Sequence, residues 1–251
     1  MASGHLSTAT RAAATALRAA GKMALALAVF TAILAGWWYM QFRQAEALAR
    51  SLPLPNRVEQ DGCAIWFVGS SSMSRWSTLQ RDMEPWTAHN RAIPGATLDE
   101  ISTRFFNERE PQAPAAIVFY AGENDLAFGV PAATVAKQFA TFMQGKSARL
   151  GDVPVFFMTM KPSPTRWDDF AAQRAYDDAA RRLAAERGDL MVVDTVQRFL
   201  VNGRPGPFYN GDGIHLNDRG YTIWSGALRR TLDKELPQRL VHRCRRRAAA
   251  S

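Results

Sequence analysis

The chain has 251 residues, 47% of them hydrophobic and 22% charged, enough to build one well-buried domain and something beyond it, which excludes a disordered or fibrous protein. Its net charge of +8 sits at the ends: Arg11, Arg18 and Lys22 on one side and Arg243, Arg245, Arg246 and Arg247 on the other account for seven of the eight. The body between them is nearly neutral, which argues against a nucleic-acid partner.

Residues 1–22 read as a basic leader. Residues 23–40, MALALAVFTAILAGWWYM, contain no charged group. As a helix of about eighteen residues this run is ~27 Å long, close to the ~30 Å of a hydrocarbon core, and it predicts a transmembrane anchor. Trp37, Trp38 and Tyr39 fall at its far end, at headgroup level, and the basic residues before it favour an inside N-terminus. The remainder is then expected in the periplasm or outside the cell. A cleaved signal peptide is the competing reading, disfavoured by the length of the apolar run and by the lack of a convincing small-x-small site after it.

Residues 41–62 turn polar and carry SLPLPN, whose prolines oppose helix and sheet alike; they read as a linker. From 63 to 242 short apolar runs alternate with helical patterns. The runs are AIWFV (64–68), TAHNRAI (87–93), AAIVFYA (115–121), VPVFFMT (153–159) and LMVVDT (190–195). Several are apolar at consecutive positions, as strands covered on both faces require. Repeated βαβ units predict an α/β fold with a five-stranded, doubly wound parallel sheet. FAAQRAYDDAARRLAAERG is among the intervening helices, with Gly188 in the position of a C-cap. Residues 243–251 read as a solvated basic tail.

Cys63 precedes the first strand and Cys244 follows the last helix, and in such a fold a final helix returns to the end where strands begin. A disulfide is therefore geometrically reasonable in an oxidising compartment; two free thiols are the alternative.

Ligands of these sheets bind beyond the carboxyl ends of the strands. After the first strand comes Gly69-Ser70-Ser71-Ser72, which alone reads as a turn. After the second comes Gly95 in NRAIPGAT, and after the third Gly122-Glu123-Asn124-Asp125. Past the fifth lies Asp212-Gly213-Ile214-His215, whose histidine is the one of four best placed to act as a base. Together these residues have complementary chemistry. A serine hydroxyl needs an imidazole to take its proton, and the imidazole needs a carboxylate to hold its tautomer. Ser71, His215 and Asp212 fit those roles, while the backbone N–H groups of Ser71 and Gly95 and the Asn124 amide fit an oxyanion hole.

The order Ser, Gly, Asn, His resembles the SGNH/GDSL hydrolases over residues from about 64 to 228. FVGSSSMSRW is similar to the first family block, with GSS in place of GDS. NRAIPGAT is similar to the second, AGEND to the third and DGIHLNDRGY to the last. KPSPTRW resembles a loop of the GSSS-bearing members. The resemblance implies a flavodoxin-like three-layer α/β/α domain, no metal and no organic cofactor. It also implies Ser71 as nucleophile, His215 as base, Asp212 as its partner, and Ser71, Gly95 and Asn124 as oxyanion donors.

The expectation is a membrane-anchored serine esterase acting on carboxylic esters: O-acetyl groups on carbohydrate, or small acyl or lipid esters. An O-acyltransferase using the same site and a flavodoxin-like ligand-binding module are the alternatives. Trp76, Trp86, Phe128, Trp167, Phe208 and Tyr209 are candidates to line an acyl or sugar pocket, against the plainer reading of core or cover.

Overall fold

A computed structural model describes residues 4–56, 62–108 and 113–250. The chain divides into two units, Met1–Ser51 and Leu52–Ser251. The first is a single helix, α1 (Gly4–Ser51). Within Ala13–Ser51 it holds an 18-residue window of mean hydropathy 1.8, long and apolar enough to cross a membrane, and none of that window is buried by protein. A membrane anchor and a signal sequence both satisfy those criteria.

The helix outruns the predicted span. Gln41–Ser51, expected as linker, continues it, because QFRQAEALAR is built of helix formers and Glu46 pairs with Arg50 one turn on at 3.3 Å. It stops where Pro53 removes the next backbone donor.

In the second unit five parallel strands, β1 (Ala64–Gly69), β2 (Thr87–Asn90), β3 (Ala116–Tyr120), β4 (Val155–Met158) and β5 (Leu190–Val193), form a sheet of order β2-β1-β3-β4-β5. The register pairs Phe67 with Val118 and Val118 with Phe156 across the centre. Every residue of β1, β3 and β4 is buried, the outcome expected of uninterrupted apolar runs. Strand ends differ by one to three residues from the predicted runs, most at β2, where pairing stops at Asn90 and the chain turns away toward Pro94.

Helices cover both faces. α2 (Ser71–Ser74) and α3 (Leu79–Asp82) connect β1 to β2, α4 (Leu98–Phe106) leads to β3, and α5 (Glu123–Ala127) and α6 (Ala132–Leu150) lead to β4. α7 (Phe170–Ala185) leads to β5, and α8 (Asp218–Glu235) and α9 (Gln238–Ala248) close the chain. α4, α6 and α7 pack side by side on one face. On the other, Trp224 and Tyr221 of α8 pack against Trp76, whose ring stacks on Tyr221 at 5.3 Å. Trp76 and Trp86, two of the pocket candidates, are thus core residues, 2% and 1% exposed. α7 ends at Ala185 with Glu186 as its C-cap, so Gly188 caps nothing.

The predicted basic tail is also ordered differently. Leu240, Val241 and Cys244 recur at helical spacing, and α9 buries Val241 and Cys244. Arg243 donates to the Gly62 carbonyl at 2.9 Å, Arg247 to the Thr87 hydroxyl at 2.6 Å, and Arg245 pairs with Asp233 at 2.8 Å. Cys63 and Cys244 are joined in a disulfide, their Cα atoms 5.8 Å apart, at the end of the sheet where β1 begins.

Candidate active site

At the opposite end of β1 the chain turns sharply. Gly69 is required there: a Cβ would stand 2.3 Å from the Tyr120 carbonyl oxygen on β3. The Ser70 N–H donates to that same oxygen at 3.1 Å, which pins the turn to the central strand. The three serines then separate by environment. Ser70 and Ser72 are buried, 1% and 0% exposed, and Tyr221 donates to the Ser72 carbonyl at 2.9 Å. Ser71, the first residue of α2, is half-buried and faces His215: its Oγ lies 2.9 Å from Nε2.

His215 Nδ1 lies 2.7 Å from Asp212 Oδ2. An ionised carboxylate only accepts, so Nδ1 carries the proton and Nε2 is left to accept from the serine hydroxyl. Asp212 Oδ1 accepts the backbone N–H groups of Ile214 and His215, both at 2.9 Å. Partial burial acts to raise the Asp212 pKa, but the hydrogen bonds from the His215 ring and from the two backbone N–H groups outweigh it and hold the carboxyl well below the usual range. Arg75 NH1, 3.8 Å from Asp212 Oδ2, is exposed and adds little through solvent.

The Asp-to-His loop is tied to the KPSPTRW segment. Thr165 donates its hydroxyl to the Asp212 carbonyl at 2.8 Å and its N–H to the Gly213 carbonyl at 3.1 Å. Gly213 has φ +65°, and a Cβ there would meet Thr165 Oγ1 at 2.5 Å. Past His215, Asn217 caps α8 by accepting from the Gly220 N–H at 3.2 Å.

Gly95, φ +73°, lies in the turn between β2 and α4. The Ile93 N–H donates to the Gly69 carbonyl at 2.8 Å and the Ala96 N–H to Ile93 at 3.3 Å, so the turn is moored to the serine loop. Asn124 sits one residue into α5. Its Nδ2 donates to the Ala96 carbonyl at 2.9 Å, and its Oδ1 accepts from Arg166 at 2.9 Å. Asp125, also buried, receives the Leu98 N–H at 3.0 Å and so anchors the start of α4. The β1, β2 and β3 loops thus interlock around one spot, with Ser71, His215 and Asp212 in series and Asn124 hydrogen-bonded to the turn that holds Gly95.

An open cleft of about 480 Å³ adjoins Ser74 and Arg75, walled also by Asn90, Ile93, Pro94 and Asn56. None of the aromatic pocket candidates lines it; Phe128 is 72% exposed, and Trp167 stacks on Phe170 at 4.6 Å.

Sequence reasoning assigned nothing to Lys161 and Arg166. Lys161 is fully buried, with Nζ 2.6 and 2.8 Å from the two Glu123 carboxylate oxygens. Tyr120 donates to Glu123 Oε2 at 2.7 Å, and Arg166 NH1 stands 3.6 Å from Oε1. Burial acts to raise the Glu123 pKa, but Lys161, Arg166 and the hydrogen bonds outweigh it and keep the carboxyl low. The available signal was the placement of KPSPTRW after β4, at the same sheet end as the other candidates.

The second unit thus has a doubly wound parallel sheet with hydroxyl, imidazole and carboxylate in series beyond its strand ends, the chemistry by which a serine can be activated as a nucleophile. The GDSL-like Lipase/Acylhydrolase family model matches residues 61–223, well over half of the sequence, and the chain belongs to that family. Its fold is similar to that of a GDSL-like lipase from Bacteroides thetaiotaomicron (TM-score 0.58, 21% identity, 79% of this chain and 98% of that one). It is also similar to a lipase/acylhydrolase from Enterococcus faecalis (TM-score 0.59, 19% identity, 69% and 97%). A carbohydrate esterase family 3 from Talaromyces cellulolyticus is a further likeness (TM-score 0.56, 15% identity, 69% and 97%). At these identities the likeness concerns the fold. A search of curated protein sequences finds no match.

Proposed function

We propose that the protein is a serine esterase in which Ser71 is the nucleophile, His215 the general base and acid, and Asp212 the carboxylate that holds the imidazole. One observation carries this reading: the His215 ring bridges Ser71 Oγ and Asp212 Oδ2 at 2.9 and 2.7 Å. Ser71 Oγ attacks the ester carbonyl carbon as its proton passes to His215 Nε2. The oxyanion that forms is met by the Ser71 and Gly95 N–H groups and the free N–H of Asn124. Collapse expels the alkoxide, which takes the proton from Nε2. Water then attacks the acyl-serine, losing a proton to His215, and the acid leaves as Ser71 Oγ recovers that proton.

The substrate class is a carboxylic ester, with O-acetyl groups on carbohydrate and small acyl or lipid esters as the candidates. Lipases and a carbohydrate esterase among the similar folds support this range. The apolar run 23–40 of α1 acts as a membrane anchor that leaves the domain outside the cytoplasm, which Arg11, Arg18 and Lys22 ahead of that run and the Cys63–Cys244 bridge support.

The test is an ester panel of varied acyl chain and alcohol, acetylated sugars included, run on the parent and on Ser71→Ala. The parent should release acid from short-chain esters, and the variant should lose that activity by at least three orders of magnitude. An alanine variant as fast as the parent would show that Ser71 is not the nucleophile.

A further inference from the structure

We infer that Arg166 is a positioning residue for the oxyanion site, acting through Asn124, and that the buried Glu123–Lys161 pair exists to hold it there. This rests on the proposed role of Asn124 as an oxyanion donor.

The Asn124 amide is 5% exposed and has two fixed neighbours of opposite chemistry. The Ala96 carbonyl only accepts and takes one Nδ2–H; the Arg166 guanidinium only donates and takes Oδ1. Turning the amide over would set donor against donor and acceptor against acceptor, so the pair fixes which end presents N–H. One Nδ2–H then remains for a substrate. A cationic donor on Oδ1 also draws electron density from the amide nitrogen, making that remaining N–H a stronger donor.

The charge arrangement behind the amide supports the same role. Glu123, 2% exposed, faces two cations: Lys161, 0% exposed, and Arg166, whose side chain is 17% exposed. Glu123 is satisfied by Lys161 and Tyr120 alone, at 2.6 to 2.8 Å. Arg166 forms a longer ion pair with it at 3.6 Å, so one carboxylate faces two cations. One positive charge is left over beside the Asn124 amide, in a region poor in water, where developing negative charge is stabilised most. Within the turn Pro164–Asp169 that carries it, Arg166 leaves helical geometry, with φ −115° and ψ 29°.

The experiment is a double-mutant cycle on the full-length chain in mild detergent, with p-nitrophenyl acetate as substrate. It compares the parent, Arg166→Met, Asn124→Ala and the double variant, with thermal unfolding of each as a check on folding. Arg166→Met should lower kcat about 10- to 50-fold, less than the 10²- to 10³-fold typical of losing a whole oxyanion donor, with KM within about 3-fold. In the Asn124→Ala background the same change should cost less than about 2-fold. Affinity for a boronic acid that mimics the tetrahedral state should fall with kcat, which a merely structural role would not produce. Arg166→Lys keeps the charge and loses the fork, so it should recover part of the rate, and it supplies the same cycle should the methionine variant not fold. Equal losses in both backgrounds, or no loss from Arg166→Met, would overturn the inference. An unchanged kcat in Asn124→Ala would instead remove the oxyanion role of Asn124 itself, a separate failure.

Discussion

Replacing Cys63 and Cys244 together by serine removes a covalent link across 181 residues of sequence, nearly the whole second unit. The chain-entropy expression for a loop of that length gives about 5 kcal/mol of stabilisation at room temperature, an upper value because denatured chains keep some structure. A loss of about 3–5 kcal/mol, with a urea slope of about 2 kcal/mol per molar for a domain of this size, moves the unfolding midpoint down by about 1.5–2.5 M. Near-UV circular dichroism of the full-length chain in mild detergent follows the transition. Activity without urea should stay within about 2-fold, since the bridge lies at the start of β1 and Ser71 beyond its end, about 20 Å away along a six-residue strand. Equal midpoints for the parent and the double-serine variant would refute the reasoning. Two titratable thiols in unfolded, unreduced parent would refute its premise.

Asp212→Asn should cut kcat by about 10³- to 10⁴-fold in steady-state assays, because the amide no longer holds the reactive imidazole tautomer. Gly122 has φ +107°, and a Cβ would stand 2.6 Å from the Tyr176 ring. Gly122→Ala should therefore destabilise by about 2 kcal/mol or more in urea titration and lower activity by shifting α5 with Asn124. Asp189 faces the buried Lys146 ammonium, together with Arg187 at 2.8 Å. Burial acts to raise the Asp189 pKa, but hydrogen bonds and charge from Arg187 and Lys146 outweigh it and hold it well below its unfolded value. That stabilisation is present above the unfolded carboxylate pKa and is lost as pH falls toward the folded one. Asp189→Asn should cost about 3 kcal/mol at neutral pH, and the gap to the parent, read from urea midpoints, should narrow steadily below pH 4.

The sheet was legible because its strands are buried on both faces, so Ile65–Val68 and Ile117–Tyr120 appear as unbroken apolar runs that few other arrangements accept. Strand and helix ends were less so. Pairing at β2 stops where the turn toward Gly95 begins, and that choice depends on the Gly69 carbonyl, far away in sequence. α9 was hidden by its arginines, which outweigh in composition the Leu240, Val241 and Cys244 that bury its inner face. The nucleophile candidates were readable as residues at strand ends, and the resemblance of FVGSSSMSRW pointed to Ser71; the contrast in burial between Ser71 and its two buried neighbours, Ser70 held at the Tyr120 carbonyl and Ser72 at the Tyr221 hydroxyl, is tertiary and could not be read. Arg166 was unreadable because its meaning lies in an amide 42 residues earlier.

Thr165 and Arg166 are consecutive residues of one short turn, yet the first grips the loop that carries Asp212 and His215 while the second grips Asn124. In the proposed reaction, proton removal from Ser71 and reception of negative charge by the oxyanion site would therefore share a single mechanical joint. A displacement of that turn by one ångström would detune both halves of the reaction at once, so the segment can act as a common throttle. Substitutions there, though remote in sequence from every reacting atom, are expected to be felt in the chemical step more than in substrate capture.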